Sequence, residues 1–379
     1  MDFSLGEELE AVRDLAREIF TDRATPERLR EVETSPGRVD ARLWADLASA
    51  GLLGAVLPEE DGGAGLGMAG LCVLLQEQGR RVAPVPLWPA LVGGLAVAAH
   101  GTARQRAELL PVLAGGGGRP TVALEEFGPA DPLAPRTTAV ADGPHWRLTG
   151  TKAVVPAPDG ARHVLVTATT ATGPGLFLVA SDAPGATWEH AETTTHDLSA
   201  HLTLDGAPGE PVGTPGDGTV AEVVRDSFVA LAAVQLGVAE GALRYAADHL
   251  RERHQFGRPL ATFQAVQHQL ADCYIDIEAM RVTLWQAVDA LAEPADAPAE
   301  PFDAEDADRA ALVAKWWATE GGLNTVHRVQ HVHGGIGVDT DYPVHRHFLW
   351  GKQISTTLGG AGADLERLGA LLTSGAVAP

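Results

Sequence analysis

Apolar residues recur at helical spacing in the first third of the chain. The first helix is predicted to begin near Ser4, because Ser4 and Glu7 have the spacing of a capping box. The apolar face of this helix comprises Phe3, Leu9, Val12, Leu15, Ala16 and Ile19. The segments RLWADLASAGLL and LCVLLQEQGRRVA predict further helices, and residues 104–114 predict a short one that the GGGG run ends.

From about residue 121 to 213 the pattern changes to short, β-branched and partly alternating runs. HWRLTGTKAVV, HVLVTATT and GLFLVA are typical, and glycine, proline and aspartate separate them. Such runs predict an antiparallel sheet or a small barrel. The Gly- and Pro-rich segment 208–218 is predicted as the linker that closes this region.

Helical spacing returns in the last part of the chain as two long apolar stripes. The first stripe is Leu231, Val234, Val238, Ala242 and Tyr245, and the second is Val266, Leu270, Tyr274, Ile277, Met280, Leu284, Val288 and Leu291. Long helices joined by a short turn pack antiparallel, so the stripes predict half of a helix bundle. Residues 311–330 predict a third helix and 347–372 a fourth, whereas the acidic, Pro- and Ala-rich segment 293–308 predicts a solvated loop.

The order of these regions predicts an α+β protein. Its expected parts are an N-terminal helical domain at 1–120, a middle antiparallel β-domain at 121–218 and a C-terminal four-helix bundle domain at 219–379. The chain has 379 residues, which is enough for two or three domains, and its 45% apolar and 21% charged residues are a normal globular balance.

Net charge and cysteine content narrow the possible partners. A net charge of −22 argues against nucleic acid or an anionic membrane, because both require a basic surface. Cys72 and Cys273 are the only cysteines, so no disulfide framework is expected. The N-terminus lacks the features of a signal peptide, and no apolar run is judged long enough to span a membrane. We therefore expect a cytoplasmic protein.

The turn between the first two long C-terminal helices carries more chemistry than a turn needs. It contains Arg253, Phe256, Gly257 and Pro259, and Gln264 follows at the start of the next helix. Arginine and a helix N-terminus both suit a phosphate, while Phe256 offers a ring face and Gln264 an amide. A simple Gly–Pro turn with a solvated arginine is the alternative.

A second glycine-rich stretch, QHVHGGIG at 330–337, follows the third C-terminal helix. Gln330 ends the helix, and Gly334 opens a run that allows close approach of a ligand or simply caps the helix. GGAGLG at 62–67 does not follow a strand, as a dinucleotide-binding loop must, and GGAGADL at 359–365 lacks the lysine of a P-loop. No metal site is expected from the histidines at 327–347, because their spacing does not suit shared ligation.

Four motifs together resemble the acyl-CoA dehydrogenase family over nearly the whole chain. They are LPEEDGGAGLG, the GTK at 150–152, RHQFGRPLATFQAVQHQLAD and QHVHGGIGVDTDYPVHR. The resemblance implies the acyl-CoA dehydrogenase-like arrangement of helical domain, β-domain and four-helix domain. It also implies FAD as cofactor, with Arg253 on the pyrophosphate of a neighbouring subunit's FAD, Phe256 and Gln264 beside it, and Gln330 to Gly334 at the adenosine end.

The family removes the α-proton of an acyl thioester with a carboxylate base, and this sequence departs from that pattern. The usual base position is occupied by Leu358, which cannot accept a proton. A second placement in the family falls at Ser227, and the adjacent Asp226 is the remaining candidate although it presents another helix face. No catalytic residue is therefore assigned.

The family's contacts to a chain's own flavin ring are also altered. Glu125 stands where the resemblance implies a threonine, and Val154, Val155 and Pro156 stand where it implies Trp-Ile-Thr. Proline supplies neither a hydroxyl nor an N–H donor, and a carboxylate is unfavourable beside an anionic flavin. The contacts to a neighbour's FAD are thus kept while those to the chain's own flavin are weakened.

Three hypotheses follow. The chain is an FAD-dependent acyl-CoA dehydrogenase, active alone or as the base-lacking subunit of a heteromer; it is a non-catalytic structural partner subunit; or it is a repurposed biosynthetic enzyme on the same fold. The resemblance implies an acyl-CoA or acyl-carrier-protein substrate, an electron-transfer flavoprotein as acceptor, and a homo- or hetero-oligomer, either dimer or tetramer. It leaves the acyl group itself open.

Overall fold

The computed structural model describes residues 5–128, 130–143, 145–292 and 304–374. Phe3 and Ser4 of the predicted first helix lie outside these ranges, as does the 293–303 part of the predicted acidic loop. The N-terminal region is helical, as predicted. Its helices are α1 (Glu7–Arg23), α2 (Pro26–Glu33), α3 (Ala41–Ser49), α4 (Leu52–Ala55), α5 (Gly67–Arg81), α6 (Leu87–His100) and α7 (Ala103–Ala114).

Side-chain caps fix the starts of three of these helices, and at the first, α2, Thr25 accepts a hydrogen bond from the backbone N–H of Arg28 at 3.3 Å. Asp40 accepts hydrogen bonds from the backbone N–H groups of Arg42 and Leu43, each at 3.1 Å, at the start of α3. Thr102 and Gln105 form a capping box at the start of α7. Each cap satisfies donors that the helix cannot satisfy itself, so the local sequence determines where the helix begins.

The middle region is a seven-stranded sheet with a compact apolar core. Its strands are β1 (Arg119–Ala123), β2 (Thr138–Asp142), β3 (His145–Pro156), β4 (Ala161–Thr170), β5 (Gly173–Ala180), β6 (Ala186–Glu192) and β7 (Leu198–Val212). The strand order is β1-β4-β2-β3-β7-β5, β6 pairs with β7, and a further β4–β5 pairing closes the path, as in a small barrel. Leu148, Val166, Phe177 and Leu202 are among the fully buried core residues.

Two details of the predicted β-region are wrong. The sheet is not entirely antiparallel, because β1 pairs with β4 in parallel. The predicted linker begins too early, since Pro208–Val212 continues β7 and pairs with β3 and β5. Pro208 and Pro211 lower the strand propensity of this segment, because proline cannot donate a hydrogen bond to a neighbouring strand. Both are tolerated here because they lie near the end of β7.

The C-terminal region consists of long helices and a small hairpin. Its elements are α8 (Thr219–Glu252), β8 (His254–Gln255), β9 (Arg258–Pro259), α9 (Gln264–Leu291), α10 (Ala304–His333), α11 (Val344–Ile354) and α12 (Ala361–Ser374). The single last helix predicted at 347–372 is wrong, because Leu358 and Gly359 have left-handed φ values of 59° and 105°. Just before them, Ser355 and Thr357 hydrogen-bond back to helix carbonyls, which favours helix termination.

Helix α8 corrects the prediction that no apolar run is long enough to span a membrane. It contains an 18-residue window that is long and apolar enough to cross a membrane by composition, with a mean hydropathy of 1.3. The window is 83% buried within the protein. Such burial is typical of the core helix of a folded domain, in which a helix can be apolar on every side.

Two compact units make up the chain. The first consists of the described residues of Met1–Glu10, Cys72–Val82 and Phe228–Pro379, and the second of Ala11–Leu71 and Ala83–Ser227. Three of their four boundaries fall inside the helices α1, α5 and α8, and the fourth, between Val82 and Ala83, follows the end of α5. The predicted division at 120 and 218 is a division by sequence pattern and stays a prediction.

Within the first unit, the Cys72–Val82 part of α5 crosses α8 at backbone contact distance. A Cβ atom on Gly237 would lie 2.0 Å from the carbonyl oxygen of Gln76, and one on Gly79 would lie 2.2 Å from that of Val234. Beside the crossing, Glu240 accepts hydrogen bonds from Arg80 and Arg281, both at 2.6 Å. Glycines allow the close approach, and the charged network holds the two helices in register.

Candidate functional site

The segment between α8 and α9 is a tight β-hairpin that projects its loop residues into solvent. Gln255 pairs with Arg258 across a two-residue loop of Phe256 and Gly257, whose φ values are 54° and 77°. Two consecutive positive φ values are typical of a type I′ turn. Phe256 is 89% exposed, so the predicted ring face is indeed presented outward.

Two polar groups flank this hairpin without protein partners among the described residues. The exposed guanidinium of Arg253 has no side-chain partner there, although its backbone N–H and C=O are bonded to His249 and Leu260. The exposed amide of Gln264, the first residue of α9, is likewise unpaired within the described chain. Arg253 and Gln264 therefore keep their full hydrogen-bonding capacity for a ligand.

The predicted Gln330–Gly334 segment lies at the end of α10, and the structure links it to the hairpin. Gly334 has a φ of 63° and begins a 3₁₀-helix at Gly334–Val338. The Oε1 atom of Gln330 is buried and has no hydrogen-bond donor within the described residues. The rings of His249 and His333 stack at 4.8 Å, which joins the end of α8 to the end of α10. The two motifs thus belong to one neighbourhood.

Buried imidazole rings and half-buried phenol rings extend this contact further into the C-terminal helices. The ring of Tyr342 lies 5.4 Å from that of His333, and the ring of Tyr245 lies 5.3 Å from that of His347. Burial lowers the pKa of His347 to about 4, although a hydrogen bond to the carbonyl of Arg80 opposes the shift. The folded protein therefore holds this imidazole in its neutral form.

Acid is expected to destabilise the protein through His347. Its pKa is lower in the folded state than the unfolded value of about 6.5, so its contribution is complete above pH 6.5 and declines as the pH falls towards 4. Between pH 7 and pH 5 we expect a loss of about 2 kcal/mol from this residue. Urea unfolding of the wild type and His347→Gln at both pH values measures the difference.

The matched control for this measurement is His268→Gln, which removes an exposed histidine of α9. We expect His268→Gln to follow the wild-type pH dependence and His347→Gln to flatten it. Equal pH slopes in the wild type and His347→Gln would contradict the assignment of the acid sensitivity to this buried ring.

Leu358, at the usual base position, sits in a loop that is held from both sides. Its side chain is 3% exposed and its φ is 59°. Arg367 donates a hydrogen bond to the carbonyl of Leu358 at 3.0 Å, and Lys315 donates to the carbonyl of Gly359 at 3.2 Å. Lys315 also lies 3.6 Å from the carboxylate of Asp364. The loop keeps a defined shape, but it presents an apolar side chain where proton abstraction needs a carboxylate.

In the second unit, the GTK motif forms a structural anchor of the β-domain. Lys152 is fully buried and donates to Glu126 Oε1 at 2.8 Å and to Thr167 Oγ1 at 2.9 Å. Gly150 has a φ of 151°, and a Cβ there would lie 2.6 Å from Thr137 Oγ1. Burial opposes ionisation of Glu126, but its hydrogen bond from Lys152 lowers its pKa to about 2. The motif therefore fastens β3 to the segment that carries Glu125.

The positions expected to contact the chain's own flavin ring are strained. Val154 has a φ of 50°, which is unusual for a β-branched residue, and a register shift in the β3–β7 pairing falls at this point. Its N–H donates to His201 Nδ1 at 3.2 Å. The ring of His201 contacts that of the exposed Phe127 at 4.7 Å. Pro156 offers only its carbonyl, which accepts from Thr121.

Asp226 is half-buried near the start of α8. Burial raises its pKa to about 6, and Glu222 adds to the effect. The neighbouring Ser227 turns its hydroxyl onto the carbonyl of Val223 at 2.7 Å, so it is used within the helix. A carboxylate with this pKa can accept a proton near neutrality. Asp226 remains the candidate base of this chain, as a proposal.

The available polar groups fit the FAD of a neighbouring subunit better than a flavin bound by the chain itself. Arg253, Gln264 and the unpaired Gln330 oxygen supply the charge, amide and acceptor that a pyrophosphate, a flavin edge and an adenine amine require. Glu125 and Pro156 do not supply the hydroxyl groups expected around a chain's own flavin ring. Across the residues that the structure describes, no cluster of His, Cys, Asp and Glu has the geometry of a metal site.

The structure also shows residues that the sequence patterns did not reveal. Arg258 lies over the ring of Phe263 at 4.1 Å, and neither residue had been singled out. The Lys152–Glu126 and Lys315–Asp364 pairs were missed as well. The apolar run Ala153–Val155 directly after Lys152 was the available signal, because a lysine beside such a run is buried only when it is paired.

Comparisons with known proteins extend over the whole chain. The family model "Acyl-CoA dehydrogenase, N-terminal domain" matches residues 6–117, and "Acyl-CoA dehydrogenase, C-terminal domain" matches residues 224–365. The acyl-CoA dehydrogenase FadE27 of Mycobacterium tuberculosis is 38% identical over 372 residues, which are 97% of this chain and 98% of that protein.

Two solved assemblies are similar throughout. A chain in a variant of the Tcur3481–Tcur3483 steroid ACAD is 62% identical, with a TM-score of 0.94 over 99% of this chain and all of that one. A chain in the ChsE4–ChsE5 complex from M. tuberculosis is 36% identical, with a TM-score of 0.91 over the full length of both chains. These matches confirm the resemblance that the four sequence motifs predicted.

Proposed function

Because this chain belongs to the acyl-CoA dehydrogenase family, we propose that it is the base-lacking subunit of a heteromeric, FAD-dependent acyl-CoA dehydrogenase. In this role it completes the flavin site of an unlike sister subunit. The observation that carries the proposal is an asymmetry between retained and altered positions. The hairpin and the α10 end keep unpaired groups for a nucleotide, whereas Leu358 occupies the base position.

The residues of the hairpin have separable tasks in this role. Arg253 binds the pyrophosphate, because a guanidinium offers paired donors and keeps its charge. Phe256 covers a ring face and Gln264 binds a polar edge, while Gln330 and Gly334 receive the adenosine end. When bound, FAD supplies the hydride acceptor for oxidation of the acyl chain. The sister subunit supplies the base that takes the α-proton.

The names of the two solved assemblies support the heteromer and suggest a substrate class. One is a two-component steroid ACAD that is 62% identical in the matched chain, and the other is also a complex of two named components. We therefore place a steroid-bearing acyl-CoA thioester first among substrates, ahead of a straight-chain acyl-CoA. Electron-transfer flavoprotein is the proposed electron acceptor.

A homomeric enzyme with a displaced base is the second candidate, and Asp226 favours it. Its raised pKa of about 6 would suit general base catalysis. If the chain purified alone binds flavin and oxidises an acyl-CoA, and Asp226→Asn abolishes turnover while flavin stays bound, the homomeric candidate replaces the heteromer.

Flavin binding by the isolated chain and by a mixed assembly tests the proposal. We expect the chain alone to be colourless, and to bind FAD when co-purified with a sister acyl-CoA dehydrogenase chain that retains the carboxylate base. Arg253→Ala is expected to weaken FAD binding by the assembly at least tenfold, because it removes charge-assisted hydrogen bonds. Visible absorbance and fluorescence titration with FAD measure both results.

Arg251→Ala is the matched control, since Arg251 is equally exposed near the end of α8 and pairs only weakly with Asp248 at 3.5 Å. Arg251→Ala should alter FAD affinity less than twofold, because the expected loss comes from the contact of Arg253 with FAD and not from any positive charge near the end of α8. Absence of flavin from both preparations would defeat the proposed function and leave only the family membership.

A further inference from the structure

The hairpin holds Phe256 in a conformation that an aromatic residue rarely adopts. Its φ of 54° would suit asparagine or glycine in the first loop position of a type I′ turn. The ring is also 89% exposed, so burial does not compensate for the strain. Strained residues persist where neighbouring contacts over-determine them, and they concentrate at functional positions.

Two ring contacts link the hairpin to Phe263. The edge of the Phe256 ring meets the Phe263 ring at 6.1 Å with an interplanar angle of 75°, which is an edge-to-face contact. On Phe263, the guanidinium carbon of Arg258 lies 4.1 Å from the ring centroid. Arg258, Phe263 and Phe256 therefore form a continuous stack, which we call the Arg258 stack.

The position of Phe263 connects the Arg258 stack to the start of α9. Phe263 is the N-cap residue of α9, makes no side-chain capping bond, and directly precedes Gln264. The other end of the hairpin is fixed by the hydrogen bond from Leu260 N–H to the Arg253 carbonyl at 2.8 Å. Residues on both sides of the stack are thus the ones assigned to the cofactor.

We propose that Arg258 is a positioning residue, which holds Phe263 from one face so that Phe256 and Gln264 are pre-arranged for the FAD of the sister subunit. The proposal rests on the proposed function for its ligand. Arginine suits the task because its planar guanidinium can stack flat on a ring in addition to its cation–π attraction, whereas the compact ammonium of lysine offers the cation–π attraction alone. Arg258 would then act through Phe263 and Phe256 and not through its charge on a phosphate.

Fluorescence titration with FAD, on the mixed assembly with the sister chain, separates these two roles. We expect Arg258→Ala to weaken FAD binding about threefold to fivefold, as an exposed cation–π contact would. Arg258→Lys should weaken it less than Arg258→Ala, because lysine keeps a cation–π contact but loses the planar stacking, and Arg258→Ala should cause no further loss in a Phe263→Ala background. A loss that persists without Phe263 would show a direct charge contact and overturn the proposal.

Amide hydrogen exchange of the apo chain tests the stack without any cofactor. We expect the Leu260 amide to exchange about threefold to fivefold faster in Arg258→Ala and in Phe263→Ala, with no added effect in the double variant. Arg251→Ala should leave this rate unchanged. An unchanged Leu260 rate in Arg258→Ala overturns the positioning role.

Failure of the positioning role of Arg258 and failure of the proposed function give different results. If Arg253→Ala lowers FAD affinity and Arg258→Ala does not, the positioning role is wrong and the proposed function stands. If neither variant changes FAD affinity, the proposed function fails, and with it the cofactor-directed role of Arg258, whatever the exchange rate of Leu260.

Discussion

Replacing Gly237 with alanine is expected to lower the free energy of unfolding by roughly 3 kcal/mol or more, at or beyond the upper end of ordinary overpacking. The new Cβ would lie 2.0 Å from the carbonyl oxygen of Gln76 and 2.9 Å from its carbonyl carbon. These are backbone atoms of a neighbouring helix, so no side-chain rotation relieves the clash. The helices must separate, which also lengthens the contacts of Glu240 with Arg80 and Gln76.

Urea unfolding monitored by circular dichroism measures the loss, and Gly369→Ala is the matched control. Gly369 lies inside α12, where a Cβ would meet no atom within 4 Å. This substitution should stabilise the protein by about 0.5–1 kcal/mol through helix propensity and reduced freedom of the unfolded chain. Equal unfolding midpoints for Gly237→Ala and the wild type would contradict the close crossing of α5 and α8.

Removing the buried cation Lys152 is expected to cost about 3–5 kcal/mol, because it leaves a carboxylate buried without its main counter-charge. Glu126 would retain the N–H groups of Thr137 and Arg136, at 2.9 Å and 2.8 Å, and would lose the ammonium at 2.8 Å. Lys152→Met keeps an unbranched side chain, one heavy atom shorter, and removes the charge and the hydrogen-bond donors. The measurement is the free energy of unfolding in urea.

Two further variants identify the cause of the Lys152 effect. Glu126→Gln combined with Lys152→Met should recover at least half of the loss, because no unpaired charge stays buried. Arg244→Ala removes an exposed pair with Asp248 and should change stability by less than about 1 kcal/mol. A double variant as unstable as Lys152→Met alone would show that packing, and not charge, causes the loss.

The long elements of the fold were predictable because their patterns are long. Apolar stripes repeat over many turns of α8 and α9, so Leu231 and Met280 lie in the core as the spacing predicts, although Tyr274 near the start of the α9 stripe is 59% exposed. The sequence does carry a signal for the break, because Gly359 and Gly360 mark a turn or helix end, but leucine normally favours helix and nothing local requires the left-handed φ of Leu358 itself. Arg367 and Lys315, which fix that loop, approach it only in the folded chain.

The candidate site shows the same division between local and tertiary information. The motif predicted that Phe256 and Arg253 are presented outward, and the structure places both in solvent. Their assignment to FAD stays a prediction, since it depends on a neighbouring chain. The parallel β1–β4 pair and the Lys152–Glu126 pair could not be read from the sequence, because each joins segments whose local patterns are independent of one another.

The interleaved composition of the first unit sets an order of events during synthesis. Cys72–Val82 leaves the ribosome well before Phe228 and the helices that follow, including Glu240, the partner of Arg80. At about 5–20 residues per second, this apolar segment waits on the order of 10 s for its partners. The second unit is complete once Ser227 has emerged. Chaperone protection of the nascent chain is therefore expected to matter most while residues 83–227 are being made.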